Sequence, residues 1–469
     1  MTAGPDQEGR QETVYFDTPD LRLARWGLSF RHRGHEGWTL KLPGSREGAV
    51  LSRGELTFEG PPRTPPPEAT DLIRAYVRGA ALGPVARLST WRRRVSLFDG
   101  SGRRLAEVVD DEVSVLDGRR VAARFREVEV ELDEGADEVL QPLLWRLRAA
   151  GAGFADPTPK NVRALGPVAL EPPEVAPRPL PPEPAAGDVV TNAIAASVAA
   201  ILRHDPGIRL GGDAEDVHQA RVGTRRLRSN LRTFQTLVEP EWADGLRDEL
   251  GWLAGDLGMM RDREVLLERL TDHARRLPGA DRRLAEALTR QLESSIADGR
   301  AALLQALRSQ RYVDLLERLV AAANHPQLTE AAALPAAEIL PGLARKPWRN
   351  LKRAVAALGD APPDDALHAC RILAKRARYA AEAVAPAAGP DAERFARAVA
   401  GLQTVLGDHQ DSVTAQAWLR AHAGRGRRAF VAGEMTALEL TLAERSRAAW
   451  PAAWRKADNR RLRAWMQPS

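Results

Sequence analysis

The sequence predicts an α+β protein of two domains, an antiparallel β domain followed by an all-α domain. Three observations carry this. Segments up to Leu132 alternate apolar and charged residues with a period of two. A proline-rich stretch from Pro167 to Pro184 interrupts the chain, and the residues beyond it are rich in Ala, Leu, Arg and Glu with apolar positions three and four apart. Within that helical region a single stretch occurs twice: VHQARVGTRRLRSNLRTF from Val217 and LHACRILAKRARYAAEAV from Leu367 align without a gap. Repetition at so long a spacing points to a duplicated supersecondary unit rather than a short solenoid repeat.

In chain order, Leu28 to Arg33 places Arg31 and Arg33 on one strand face, and Trp38 to Leu42 sets Lys41 opposite Trp38, Leu40 and Leu42. Arg53 and Glu55 share a face in RGELTF, Arg92 and Arg94 in TWRRRVSLF, and Glu107 and Asp111 in AEVVDD. EVEVEL puts Glu127, Glu129 and Glu131 on one side and Val128, Val130 and Leu132 on the other. Such strands have two interpretations. An open sheet turns its charges to water, whereas a closed barrel turns them inward to line a polar tunnel. Taken alone, EVEVEL reads as solvent-facing. Several cationic strands beside strands with paired carboxylates favour an interior site for a phosphate chain and its hard divalent ions.

The prolines from 167 to 184 block helix and ladder hydrogen bonding and predict a semi-rigid spacer. On a helix, His218, Arg221, Arg225 and Arg228 fall within about 80° of arc, opposite Ala220, Leu227, Leu231 and Phe234. In the second copy His368, Arg371, Lys375 and Arg378 oppose Cys370, Leu373, Ala377 and Val384. Arg226 recurs as Arg376. A merely solvated face would mix signs for i,i+4 pairing, so two acid-free cationic faces in one register point to an anionic partner.

With 469 residues the chain has room for two or three cores, and its 44% apolar and 28% charged residues are those of a globular protein. No run of 18 apolar residues occurs and the opening MTAGPDQEGRQE is polar, so neither a membrane span nor a secretory signal is expected and the cytoplasm is the expected compartment. The single Cys370 forbids an internal disulfide and reads as a small core residue. A net charge of +5 is modest, so the basic character acts through its clustering.

Tyr15 to Arg33 (YFDTPDLRLARWGLSFRHR), WTLKLPG, RGELTF, the Arg87 to Arg94 stretch, AEVVDDEVSV, REVEVEL and TPKNVRAL resemble a CYTH domain, the triphosphate tunnel metalloenzyme fold. The helical region resembles a CHAD domain, a duplicated histidine-containing helical domain associated with polyphosphate binding. Beyond the two basic helices, LGMMRDREVL (Leu257 to Leu266) and LGDHQDSVTA (Leu406 to Ala415) match the L-G-x-x-x-D element of that family in both halves. The resemblance implies a CYTH-like barrel over residues 1–166, a linker over 167–187 and a CHAD domain over 188–469 built of two four-helix repeats, about 188–330 and 331–469.

For the first domain the resemblance implies an eight-stranded barrel that binds a triphosphate through Arg31, Arg33, Lys41, Arg92, Arg94 and Lys160, with Glu127 and Glu129 on a Mg²⁺ or Mn²⁺ ion. The family's first strand carries E-x-E-x-K, and no such triplet precedes Tyr15. The expectation is therefore a barrel without its first strand, the residues around Gly4 to Gln7 reading as neither strand nor targeting peptide. Either the start lies upstream or the domain has become a scaffold, so activity as a metal-dependent triphosphatase or polyphosphatase stays open, and without it no cofactor is expected.

For the second domain the resemblance implies a central positive surface made by the two basic helices. Inorganic polyphosphate or another linear polyanion is the expected partner, held by His218, Arg221, Arg225, Arg226, Arg228, His368, Arg371, Lys375, Arg376, Arg378 and His409. Asp262 and Asp411 are expected to orient arginines. The basic stretches hold almost no aromatics, only Tyr379 beside the second, which argues against nucleic acid. No membrane partner is expected, and association with polyphosphate granules would accompany such binding.

Overall fold

The computed structural model describes residues 1–34, 36–43, 45–47, 50–52, 54–154, 156, 158–211 and 214–466; Arg53 of RGELTF lies outside them. Two units divide it, Met1–Glu174 and Val175–Ser469.

In the first unit the alternating segments become strands: β1 (Thr2–Ala3), β2 (Gln7–Asp17), β3 (Ser29–Arg33), β4 (Gly37–Lys41), β5 (Ser45–Glu47), β6 (Val50–Ser52), β7 (Glu55–Phe58), β8 (Gly83–Phe98), β9 (Arg104–Asp117) and β10 (Arg120–Leu132). Short helices connect them: α1 (Arg22–Arg25), α2 (Pro67–Leu72), α3 (Arg74–Val77), α4 (Leu140–Ala149) and α5 (Lys160–Leu165). The sheet is antiparallel in the order β10-β9-β8-β2-β3-β4-β7, with β1 also on β8 and β5-β6 a separate ribbon. Its described pairings run from β10 at one end to β7 at the other.

The segment before Tyr15 departs from expectation, because Gln7 to Gln11 is strand. The reason is the length of β8: its Arg92–Arg94 end pairs with Gln7, Glu8 and Gly9, and Arg93 contacts Glu8 at 2.5 Å. The E-x-E-x-K residues remain absent from it.

One sheet face is apolar around Trp38, which is fully buried with ring centroids of Phe16 at 4.7 Å and Phe30 at 4.8 Å. Asp17 of the YFDT element is structural. Its carboxylate accepts the N–H groups of Thr18, Leu23 and Ala24, which fixes the entry into α1.

The proline-rich stretch is not a free spacer. Ala169 packs with Leu21, Ala24 and Val162, and Glu174 accepts two hydrogen bonds from Arg78, so its beginning is built into the first unit. Val175 is buried in the second unit, where Arg178 and Asn192 exchange two hydrogen bonds.

The second unit holds α6 (Ala186–Leu210), α7 (Ala214–Thr233), α8 (Pro240–Arg276), α9 (Gly279–Arg308), α10 (Gln310–Asn324), α11 (Ala336–Leu343), α12 (Arg345–Ala356), α13 (Asp364–Ala388), α14 (Pro390–His422) and α15 (Arg427–Ala457). Among the described residues each expected repeat contains five helices rather than four. The first ends with α10, and the second begins with two short helices meeting at Ala344.

By length and mean composition alone helix α6 could cross a membrane. In this unit it is a core helix: Val189, Val190, Ile194, Val198, Ile201 and Leu202 are buried. Its contact with α7 is close, since a Cβ on Gly223 would meet the Ser197 carbonyl oxygen at 3.1 Å. The apolar sides foreseen for the repeated helices are buried too, with Ala220, Leu227 and Leu231 in α7, Phe234 just after it, and Cys370, Ala377 and Val384 in α13, where Leu373 is partly buried.

Candidate functional site

Register decides where the first unit's charges go. Arg92 pairs with Asp111 and Asp111 with Glu127, so all three side chains leave the same face. Moving the other way, Gly9 pairs with Arg92, Thr13 with Arg33, Tyr15 with Arg31, and Arg31 with Thr39, two residues before Lys41. Arg31, Arg33, Lys41, Arg92, Arg94, Glu127 and Glu129 therefore share one sheet face. At its start EVEVEL departs from the solvent-facing reading, the Glu127 side chain being 17% exposed and Val128 38% exposed, whereas further along Glu129 is 45% exposed and Val130 and Leu132 are partly buried in an apolar cluster.

Lys160, the first residue of α5, stands among the carboxylates. Its ammonium lies 2.6 Å from Asp111, 2.9 Å from Glu127 and 3.2 Å from Glu129. Arg92 donates to both Asp111 oxygens at 2.7 and 2.6 Å, and Arg163 donates to Glu127 at 3.0 Å. Burial works against the Asp111 charge, but Arg92 and Lys160 outweigh it and hold the carboxyl below its ordinary range. Burial pushes Glu127 up despite Lys160. Burial opposes the Lys160 charge as well, but Glu129 and Asp111 outweigh it and keep this ammonium above its usual value.

The remaining cations also have acidic partners on this face. Arg31 lies 3.4 Å and Lys41 2.8 Å from Glu55; Arg33 lies 2.9 Å and Arg94 3.9 Å from Glu36. Arg31 Nε is buried without a hydrogen-bond partner. Further along the face Tyr15, Leu88, Val113 and Val115 form an apolar floor. Carboxylate oxygens of Asp111, Glu127 and Glu129 lie within 4.8 Å of one another. That donor set is made of hard oxygens suited to Mg²⁺ or Mn²⁺, and the Lys160 ammonium at its centre shows that the group accommodates a cation. The sequence reading placed Asp111 on a strand face with Glu107 but not in the site, and it did not single out Arg163, three helical positions after Lys160.

In the second unit α7 and α13 pack against each other and bring the repeated cations together. The guanidinium carbons of Arg225 and Arg378 lie 5.3 and 5.4 Å from the ring centroid of Tyr379. Burial, and then the charges of Arg371, Arg225 and Arg221, draw the Lys375 ammonium down to about 8. Arg221 lies 3.0 Å from Asp262 and Arg371 3.8 Å from Asp411. In both places the arginine lies over the glycine of the L-G-x-x-x-D element: a Cβ on Gly258 would sit in ordinary van der Waals contact, 3.7 Å from Arg221 Nε, and one on Gly407 3.6 Å from Arg371 Nε.

Arg226 and Arg378 share Glu382, at 3.3 and 2.7 Å. Arg228 and Arg376 are exposed and form no ion pair among the described residues. Two cations outside the sequence reading, Arg232 and Arg247, lie within electrostatic reach of them: burial, and then Arg376, Arg247 and Arg228, hold the Arg232 guanidinium below its ordinary value. Buried Nε atoms of Arg225 and Arg371, and Nδ1 of His368, have no hydrogen-bond partner. His218 is half-buried, and burial together with Arg261, Arg225 and Arg221 holds it below its ordinary value against Glu215. His409 is 1% exposed, with Nε2 3.1 Å from Asp364, and lies beneath the surface rather than on the cationic face.

Residues 2–144 match the CYTH domain family and residues 192–420 the CHAD domain family. Two proteins of Mycobacterium tuberculosis, MT2285 of strain CDC 1551 and Rv2226 of strain H37Rv, both described as uncharacterized, are 36% identical to it over 478 residues, covering 95% of this chain and 90% of theirs. Among solved structures, PptA from Streptomyces chartreusis is 29% identical with a TM-score of 0.50, covering 58% of this chain and 99% of that one. The CHAD domain from the plant Ricinus communis is 27% identical with a TM-score of 0.45, covering 62% of this chain and 95% of that one. The chain belongs to the family of proteins that join a CYTH domain to a CHAD domain.

Proposed function

We propose that this protein binds inorganic polyphosphate along the surface formed by α7 and α13, the two repeats contributing equivalent cations to one site. The observation that carries the reading is the convergence of Arg221, Arg225, Arg371 and Lys375 where α7 packs on α13; burial first, and then the charges of the three arginines, draw the Lys375 ammonium down to about 8. Like charges held so close cost stability unless a partner uses them, and a chain with one negative charge per phosphate offsets that cost by charge-assisted hydrogen bonds and counterion release. Arg226, Arg228, Arg232, Arg376 and Arg378 continue the cationic surface along both helices, while Asp262, Asp411 and Glu382 hold several of the guanidiniums in place. Nucleic acid fits less well, because Tyr379 is 4% exposed and lies against two guanidiniums, leaving no face for a base. A cytoplasmic protein that associates with polyphosphate granules is the corresponding cellular reading.

The charged face of the first unit supports a second reading, a divalent-metal-dependent triphosphatase. Arg31, Arg33, Lys41, Arg92 and Arg94 would take a triphosphate once it displaces Glu36 and Glu55. Asp111, Glu127 and Glu129 would hold Mg²⁺ or Mn²⁺, which supplies charge stabilisation to phosphoryl chemistry when bound. The two readings separate in one experiment: incubate the full chain with long polyphosphate and with tripolyphosphate, with and without Mg²⁺, and monitor both binding and phosphate release. Binding without metal or turnover supports the first reading. Phosphate release that Glu127→Gln abolishes establishes the second.

A further inference from the structure

We infer that Lys160 is a built-in competitor for the divalent cation, its ammonium occupying in the resting protein the position among Asp111, Glu127 and Glu129 that a metal ion would take. The inference rests on the reading of those carboxylates as a cation site and is independent of polyphosphate binding by the helical unit.

Three distances carry it. At 2.6, 2.9 and 3.2 Å from the three carboxylates, one ammonium engages every member of the cluster. Its charge is also what the cluster lacks: Arg92 serves Asp111 and Arg163 serves Glu127, and Lys160 is the third cation facing three anions. A divalent ion entering beside it would meet a neutralised cluster and a like charge within contact distance, so the ion and the ammonium exclude each other.

The backbone fits an exchange of this kind. Asn161 and Val162, the next residues of α5, are buried, and Val162 packs with Leu21, Ala24 and Ala169, so the helix is pinned. Only the four-carbon stem of Lys160 needs to move, and lysine presents a point charge on a flexible stem. The phosphate cations Arg92 and Arg94 belong to the neighbouring β8, which gives the departing ammonium an anion to pair with when phosphate is bound. Phosphate binding and metal binding then favour each other, and by linkage each strengthens the other to the same extent.

The test is a titration of Mn²⁺ into the full chain without phosphate, monitored by the paramagnetic resonance signal of free Mn²⁺ or by calorimetry. Lys160→Met is expected to bind Mn²⁺ at least about tenfold more tightly than the parent chain, within the usual range of coupling between sites. Arg163→Met removes a positive charge from the same carboxylate without vacating the centre and is expected to change the affinity less than about threefold, as for a peripheral charge. Glu127→Gln added to Lys160→Met is expected to erase the gain. Lys160→Gln gives the same reading should the methionine variant fail to fold. Equal or weaker Mn²⁺ binding in both Lys160 variants overturns the inference, as does an equal gain in Arg163→Met, which would make the effect one of net charge alone. Polyphosphate binding at the helical unit stays unchanged in all these variants, so loss of that binding marks a failure of the polyphosphate reading instead.

Discussion

The guanidinium of Arg225 in α7 lies 5.3 Å from the ring centroid of Tyr379 in α13, and Arg378 lies 5.4 Å from the same ring. The buried ring brings an arginine of α7 and one of α13 to one point, a use of Tyr379 that leaves none of it for stacking on a base. Tyr379→Leu is therefore expected to weaken polyphosphate binding about three- to tenfold, from roughly 1 kcal/mol of cation–π positioning. Tyr379→Phe keeps the ring and should bind like the parent chain. Equal losses in both variants would assign the effect to the hydroxyl.

Equivalence of the two copies gives a second expectation. Removing Arg221 and Arg225 together should weaken binding about as much as removing Arg371 and Lys375, each lost charge-assisted contact contributing on the order of 1 to 3 kcal/mol. Calorimetry on the two folded double variants checks it. One silent pair would mean that α7 and α13 do not form a single site.

Lys375 makes the site sensitive to pH. Its ammonium titrates near 8 because burial and three arginines disfavour the charge, and bound polyphosphate favours it. Binding should weaken as pH rises from about 7 to about 9, across the value at which the lysine titrates, and Lys375→Arg should flatten that profile. Stability has the opposite sign. The unfolded chain holds this proton up to about 10.4 while the folded chain releases it near 8, so the free protein gains stability as pH rises between those values.

Asp111 makes an acid-side expectation. Its carboxylate side chain is 1% exposed and paired with Arg92 and Lys160, which keep its folded pKa below the ordinary value despite burial. The stabilisation is complete above the unfolded value and is lost as pH falls through the folded one. Asp111→Asn should destabilise the first unit by about 3 kcal/mol, the scale of a broken buried pair. Thermal melting of the full chain against pH checks both, the variant showing the smaller acid-induced loss.

Much of this arrangement was legible in the sequence because the chemistry recurs at short periods. Strand alternation put Arg31 with Arg33, Arg92 with Arg94 and Glu127 with Glu129, and the helical arc put Arg221 with Arg225. Faces were legible; what each face meets was not. EVEVEL alone reads as carboxylates in water, and it is the register through Asp111 and Arg92, together with Lys160 arriving from α5, that turns Glu127 inward. Asp111 was visible as an alternating acid, but its importance lies in cross-strand pairing. Arg232 and Arg247 belong to the cationic surface only because α7 and α8 bring them beside Arg376 of α13. The residues before Tyr15 have no strand signature of their own and form one because β8 offers an edge. His409 shares its helix turn with Gly407 and Asp411, yet packing places it beneath the surface.

The most direct test of the account is binding of long-chain polyphosphate to the full chain in excess chelator, at about 50 and about 200 mM salt, the range over which counterion release is readily seen. Metal-independent binding is expected, weakening over that range on the order of a hundredfold if about five cations are neutralised, by the counterion scale for single-stranded polyanions. No binding at the lower salt, or an affinity that does not change with salt, would contradict the claim that the joined cationic faces of α7 and α13 form a polyphosphate site.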